Sequence, residues 1–268
     1  MTGPVLVFDS GVGGLSVVAA LRQRIPGGAL AYCCDNAMLP YGIREDAWLV
    51  ERILAVCSAA VEASGAGTLV VACNTASTLA LDALRGHLRI PVVGTVPAIK
   101  PAARESRSGH LALLATSATV ARSYTQRLID DFAPGCQVMR IAADPLVTQA
   151  ERWILGCSPD QDVLCQALSP LQQDRQIDTI VLGCTHFPLL RDLLAKAAEE
   201  HLGREFAWID SGDAIARRTA QVAGTPELSD APGLVLVTAL EPERTLAMAQ
   251  GFASFGFNSP TLLSVPRA

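Results

Sequence analysis

The 268-residue chain is poor in aromatic residues, 5%, and in Asp, Glu, Lys and Arg together, 18%. It has no basic surplus, since 21 Lys and Arg face 26 Asp and Glu for a formal charge of −5. Binders of the phosphate backbone carry a basic excess, so nucleic acid is not an expected partner. No uninterrupted apolar run reaches the roughly 18 residues of a membrane-spanning helix, so no membrane association is expected. The opening Met-Thr-Gly-Pro-Val-Leu-Val-Phe-Asp has no basic region and no cleavage site, which points to the cytoplasm. There is no Cys-x-x-Cys and no paired Cys/His spacing of the zinc type, so no metal is expected. Without a secretion signal, disulfides are not expected either. Cys33, Cys34, Cys57, Cys136, Cys157 and Cys165 read as buried free thiols.

What the chain does have is apolar material, 50% of its residues. That is ample for a core and excludes wholesale disorder. Short apolar runs alternate with helix-period segments. Strands are expected at Val5–Phe8, Ala29–Cys34, Thr68–Ala72 and Val92–Val93. Helices are expected after Gly14, from about Leu49 to Gly65, and over Ala76–Arg85. The pattern then restarts. Leu111–Ala115, Gln137–Ile141 and Ile177–Leu182 read as strands, with helices over Val120–Phe132, Asp160–Gln173 and Leu189 to about His201. Strand–helix alternation argues for parallel sheets covered on both faces.

The two stretches match in register. Asp9-Ser10 answers to Thr116-Ser117, and Cys73-Asn74-Thr75 to Cys184-Thr185-His186, at separations of 107 and 111 residues. This is the mark of a duplicated unit. The remaining tail, with strands at Phe206–Ile209 and Leu234–Thr238, is too short for a third unit. The expected fold is therefore α/β, with two pseudo-symmetric parallel-sheet domains facing each other across a cleft. Residues 1–97 plus 205–268 form the first domain and 98–204 the second.

Ligands of open α/β sheets bind at the carboxyl ends of strands. Four loops qualify: Asp9-Ser10-Gly11, Cys73-Asn74-Thr75, Thr116-Ser117-Ala118-Thr119 and Cys184-Thr185-His186. Each precedes a helical segment whose first N–H groups favour anions, so the ligand carries carboxylates or phosphates. Gly11–Gly14 fits neither phosphate-loop pattern; Gly13 and Gly14 are read as spacers for close packing of helix on strand. One cysteine ends a strand in each half. Facing each other, Cys73 and Cys184 are the pair a two-base stereoinversion needs, one taking a proton from a carbon and the other returning one to the opposite face. A helix start lowers a thiol pKa. Asp9 and His186, ionisable on the same loops, are expected to assist, and Glu151 and Asp35 are further candidates as assistants. No Lys sits in the four loops to form a Schiff base, so no cofactor of that kind is expected.

Phe8-Asp9-Ser10-Gly11-Val12-Gly13-Gly14, Pro40-Tyr41-Gly42, Ala72-Cys73-Asn74-Thr75-Ala76 and Leu182-Gly183-Cys184-Thr185-His186-Phe187-Pro188-Leu189 resemble the signatures of bacterial glutamate racemases. These are cofactor-independent members of the aspartate/glutamate racemase superfamily. The likeness runs over nearly the whole chain. It implies interconversion of L- and D-glutamate for peptidoglycan, with neither pyridoxal phosphate nor metal, in an enzyme that is often a homodimer. By position, Cys73 acts on the D-enantiomer and Cys184 on the L-enantiomer, with Asp9 and His186 assisting. Ser10, Pro40, Tyr41, Gly42, Asn74, Thr75 and Thr185 hold the substrate, and Thr116 and Thr119 complete the site of its side-chain carboxylate. The long N-terminal extension of some enterobacterial members does not precede these motifs, so activation by a cell-wall nucleotide precursor is not part of the expectation. An aspartate racemase and a non-catalytic two-lobed binding protein are the alternatives.

Overall fold

The computed structural model describes residues 3–223 and 227–265. Residues 1–2, 224–226 and 266–268, all within the expected first domain, lie outside the described residues. Val5–Asp9 forms β1, buried along its whole length. α1 (Leu15–Arg24) follows and ends before Pro26. β2 (Leu30–Cys34) leads through two short 3-10 turns to α2 (Asp46–Ser64). The Glu45 carboxylate caps α2 by accepting the N–H groups of Ala47 and Trp48, and Gly65 ends it at φ 62°, a left-handed turn that suits glycine. β3 (Thr68–Val71), α3 (Asn74–His87) and β4 (Val92–Val93) complete this run.

The second run is α4 (Ile99–Glu105), β5 (His110–Ala115), α5 (Ser117–Ala121), α6 (Ser123–Phe132), β6 (Gln137–Ala142), α7 (Pro145–Ile154), α8 (Gln161–Leu168), β7 (Thr179–Leu182), α9 (Arg191–Leu202) and β8 (Ala207–Ile209). The tail adds α10 (Gly212–Val222), β9 (Leu234–Val237), α11 (Pro242–Ala253) and β10 (Thr261–Leu262).

Among the described residues the strands form two sheets, ordered β10-β9-β2-β1-β3-β4 and β6-β5-β7-β8. Every strand pair in them is parallel. Laid over each other, β2-β1-β3-β4 coincides with β6-β5-β7-β8, so the duplication is real at the level of strand order. Apolar clusters cover both faces of each sheet, which is why the strands read as continuous apolar runs. Register does the positioning. Phe8 pairs with Val71, so Ser10 and Cys73 emerge side by side; Leu114 pairs with Leu182, so Thr116 and Cys184 do the same.

Several expectations need correction. The domain boundary drawn at residue 204 leaves β8 on the wrong side, because β8 pairs with β7 as β4 pairs with β3. Only the chain beyond Ile209 returns to the first half, where α10 and α11 join the cluster over β1 and β2. The single helix expected over Val120–Phe132 is two, broken where Arg122 is extended. The helix expected over Asp160–Gln173 ends at Leu168 and continues as a 3-10 turn holding Pro170. Pro188 likewise gives a 3-10 turn, Phe187–Leu190, ahead of α9. Helices α4 and α7 were not expected. α7 starts at Pro145, which the first helical turn tolerates, and buries Leu146 and Ala150.

Candidate active site

A cavity of about 420 Å³ lies between the carboxyl edges of the two sheets. Thirteen of the residues expected at the site line it: Ser10, Pro40, Tyr41, Gly42, Cys73, Asn74, Thr75, Thr116, Thr119, Glu151, Cys184, Thr185 and His186. Asp9 lies beneath, fully buried, and Asp35 is fully buried outside the lining. Cys73 and Cys184 reach the cavity from different sheets, one after β3 and one after β7.

The thiols sit in different surroundings. The Cys73 sulfur lies 3.7 Å from Ser10 Oγ, which in turn donates to Asp9 Oδ1 at 3.4 Å. Asp9 Oδ1 also accepts the Gly11 N–H at 3.0 Å, while Oδ2 has no protein partner among the described residues. Asp9 is therefore not a cap for α1, whose N-cap is Gly14. Burial raises the Asp9 pKa, and the charge of His186 opposes this. Burial, then the Asp9 carboxylate, push the Cys73 thiol up to about 12, outweighing the Ala76 N–H and the Ser10 hydroxyl. This corrects the expectation of a lowered pKa at a helix start: one N–H cannot offset the removal of water.

On the other side, Cys184 Sγ is 3.8 Å from His186 Nδ1, and His186 Nε2 is 2.6 Å from Glu151 Oε1. Burial disfavours charge on His186, yet its bonds with Cys184 and Glu151 hold its pKa well above the usual imidazole value. A protonated ring donates from both nitrogens, one toward the carboxylate and one toward the sulfur. Glu151 Oε1 also accepts the Val12 N–H at 2.8 Å, so one carboxylate links α7 to the glycine loop of the opposite half. A side chain at Gly11 would collide with Glu151, and one at Gly13 would come within 2.6 Å of Thr185 Oγ1 and His186 Nδ1. Gly13 thus lets the two halves meet, rather than packing α1 on its own strand; Gly14 alone does that, against Tyr32 and Asp9.

Thr116 and Thr119 hydroxyls stand 3.1 Å apart on the second wall. The start of α5 is not free for an anion, since the Ser117 N–H and hydroxyl both donate to Asp144. Asp35 is paired away from the cavity with Arg52, Tyr41 and Thr238, so it is not an assistant of either thiol. Among the other cysteines, Cys33, Cys34 and Cys57 are buried, Cys136 and Cys165 half-buried and, against expectation, Cys157 exposed. Asn36, Asp144, Val147, Thr148, Arg152, Leu155, Glu241, Arg244 and Met248 also line the cavity and were missed. Glu241 and Arg244 follow the carboxyl end of β9, so the rule that found the four loops applied to a fifth.

Comparison with known proteins gives a consistent picture. A family model described as Asp/Glu/Hydantoin racemase matches residues 15–219. A glutamate racemase of Shewanella loihica is 43% identical over 97% of this chain and 96% of its own. One of Shewanella woodyi is 49% identical over 82% of this chain and 81% of its own. Among solved structures, Escherichia coli glutamate racemase in complex with L-glutamate and the activator UDP-MurNAc-Ala is 40% identical, with a TM-score of 0.91 over 100% of both chains. The Aquifex pyrophilus glutamate racemase is 30% identical, with a TM-score of 0.74 over 98% of this chain and 99% of its own. No helix among the described residues is long and apolar enough to cross a membrane.

Proposed function

The chain belongs to the Asp/Glu/Hydantoin racemase family, and from that premise we propose that it interconverts L- and D-glutamate by a two-base mechanism on Cys73 and Cys184. The observation that carries the reading is one cavity with a thiol from each sheet. In the L-to-D direction the Cys184 thiolate takes the Cα proton, and the Cys73 thiol gives a proton to the opposite face. The reverse reaction exchanges these roles. The imidazolium of His186, held by Glu151, stabilises charge on Cys184. Asp9 acts through Ser10 on Cys73. Hydroxyls of Ser10, Thr75, Thr116, Thr119 and Thr185, with the Asn74 amide, meet the ammonium and carboxylates. Fixed dipoles around the carbanion take the place of an electron sink.

Support for glutamate over aspartate comes from the named relatives at 43–49% identity. The reading extends to supply of D-glutamate for peptidoglycan by a cytoplasmic homodimer needing no cofactor, as the resemblance implies. The domains are taken as residues 1–97 with the segment after Ile209, and 98–209. The test is deuterium incorporation at Cα from deuterated water. Each glutamate enantiomer should acquire solvent deuterium as it inverts, with aspartate inert. Inversion without solvent exchange, or turnover of aspartate alone, overturns the proposal.

A further inference from the structure

We propose that the buried carboxylate of Asp35, with Arg52 and Thr238, positions two walls of the cavity, the turn at Tyr41 and the segment leading into α11. This rests on the reading of the cavity as a glutamate site. Asp35 is fully buried at the end of β2. Its Oδ1 accepts from Arg52 Nη2 at 2.7 Å and from Thr238 Oγ1 at 2.6 Å. Its Oδ2 accepts from Tyr41 Oη at 2.7 Å and from Arg52 Nε at 3.1 Å. Four donors from three separate parts of the chain therefore converge on one side chain. The guanidinium binds as a two-point fork, which fixes direction as well as charge.

The next residue extends the arrangement. Asn36 Oδ1 accepts the N–H groups of Thr238 and Ala239 at 3.1 and 3.0 Å, and its Nδ2 donates to the Ala239 carbonyl at 2.9 Å. The stretch held in this way runs directly into Glu241 and Arg244, which face the cavity together with Met248. On the other side, Tyr41 begins the 3-10 turn Tyr41–Ile43, whose residues also face it. Neither Asp35 nor Arg52 lines the cavity, so both act through the residues they hold. The Tyr41 proton is committed to Asp35, and the hydroxyl cannot donate it to a substrate carboxylate. What Tyr41 offers the ligand is the placement of its turn.

The charge pattern agrees. The bonds to Asp35 raise the pKa of Arg52, and burial, then the Asp35 charge, raise that of Tyr41 well above the usual phenol value. Both partners are locked in the donor form at any working pH.

Asp35→Asn leaves a half-buried guanidinium without its counter-charge and risks misfolding. Thr238→Val is the cleaner probe, because it keeps the ion pair and removes one hydroxyl, which also accepts the Ala37 N–H. Arg52→Lys keeps the charge and loses the fork. Each variant should raise KM for both glutamate enantiomers about threefold to tenfold, the scale of one lost buried hydrogen bond, with kcat held within about twofold. In the ligand-free enzyme, amide hydrogen exchange should quicken in both 39–43 and 238–248, and not around β7. Lower thermal stability with KM unchanged, or faster exchange in only one of the two segments, overturns the proposal. Absence of glutamate turnover in the wild type would instead strike the underlying reading, while the exchange experiment still decides whether Asp35 anchors both walls.

Discussion

The two halves share a strand order and differ in how each treats its thiol. Cys73 is nearly inaccessible, 6% exposed, with a hydroxyl between it and a buried carboxylate. Cys184 is half-buried, with an imidazole between it and a carboxylate. The first arrangement penalises negative charge on sulfur, and the second sets a ring nitrogen of His186 3.8 Å from it. Burial and the Asp9 carboxylate thus favour the protonated form of Cys73. Duplication supplied two equivalent positions, and the residues at the ends of neighbouring strands gave them different partners.

Removing either thiol breaks the comparison most severely. Cys73→Ala and Cys184→Ala should each lower racemisation by roughly 10³-fold or more, because inversion needs both proton-transfer groups. The variants should differ in exchange without inversion. Cys184→Ala should still wash deuterium slowly into D-glutamate, and Cys73→Ala into L-glutamate, followed by proton NMR. The opposite pairing would reverse the assignment of faces.

The alkaline stability of the fold separates the thiols next. The Cys73 pKa is raised from 9.0 to about 12. The folded state then holds a proton that the unfolded chain releases above pH 9. Its stabilising effect is complete below 9 and is lost as pH rises through 12. Over that window wild type should lose about 4 kcal/mol more than Cys73→Ala, at 1.36 kcal/mol per unit. Denaturant titrations at several pH values on both proteins provide the check, and parallel curves would mean that burial does not hold the proton there.

Sequence patterns revealed the pairing of the halves because its carriers are local. Apolar runs ending at Asp9, Val71 or Ala115 mark strands wherever they occur, and a cysteine just beyond a strand end marks a candidate site. Long-range partners left no local trace. Glu151 sits mid-helix on α7, which starts at a proline and reads as a loop; its contact with His186 spans 35 residues and that with Val12 spans 139. Asp35 looked like a site carboxylate, and only its four donors, brought from positions 41, 52 and 238, show it facing away. β8 was misplaced because a three-residue strand carries no label for its sheet; its pairing with β7 follows from three-dimensional symmetry.

The His186–Glu151 pair offers a smaller, directional test. His186→Asn and Glu151→Gln should each reduce kcat for L-glutamate by about 10- to 100-fold, with a lesser loss for D-glutamate. The equilibrium constant between enantiomers is one, so the ratio of KM for L-glutamate to KM for D-glutamate must fall by the same factor as the ratio of the kcat values. Steady-state kinetics in both directions measures this, and equal losses of kcat would make the pair a general support of the site rather than a partner of Cys184.

The smallest expected effect concerns how the halves are held together. At the rim, Arg122 Nη2 meets Asp46 Oδ1 at 3.2 Å, joining the break between α5 and α6 to the start of α2. A Cβ added at Gly42 would stand 3.3 Å from that of Ala118, so the turn at Tyr41 and α5 also approach closely. Asp46 is largely exposed and Arg122 less so, so water and salt screen the pair and its coupling should be about 0.2–1 kcal/mol. If the pair favours the closed cleft, Arg122→Gln and Asp46→Asn should each raise KM for both enantiomers alike, by no more than about fivefold. The double variant should be no worse than either alone, because the interaction can be lost only once. Raising the salt concentration should narrow the gap to wild type. An effect confined to one enantiomer would tie the rim to a single thiol, whereas additive losses that ignore salt would mean that Arg122 and Asp46 act separately on their own helices.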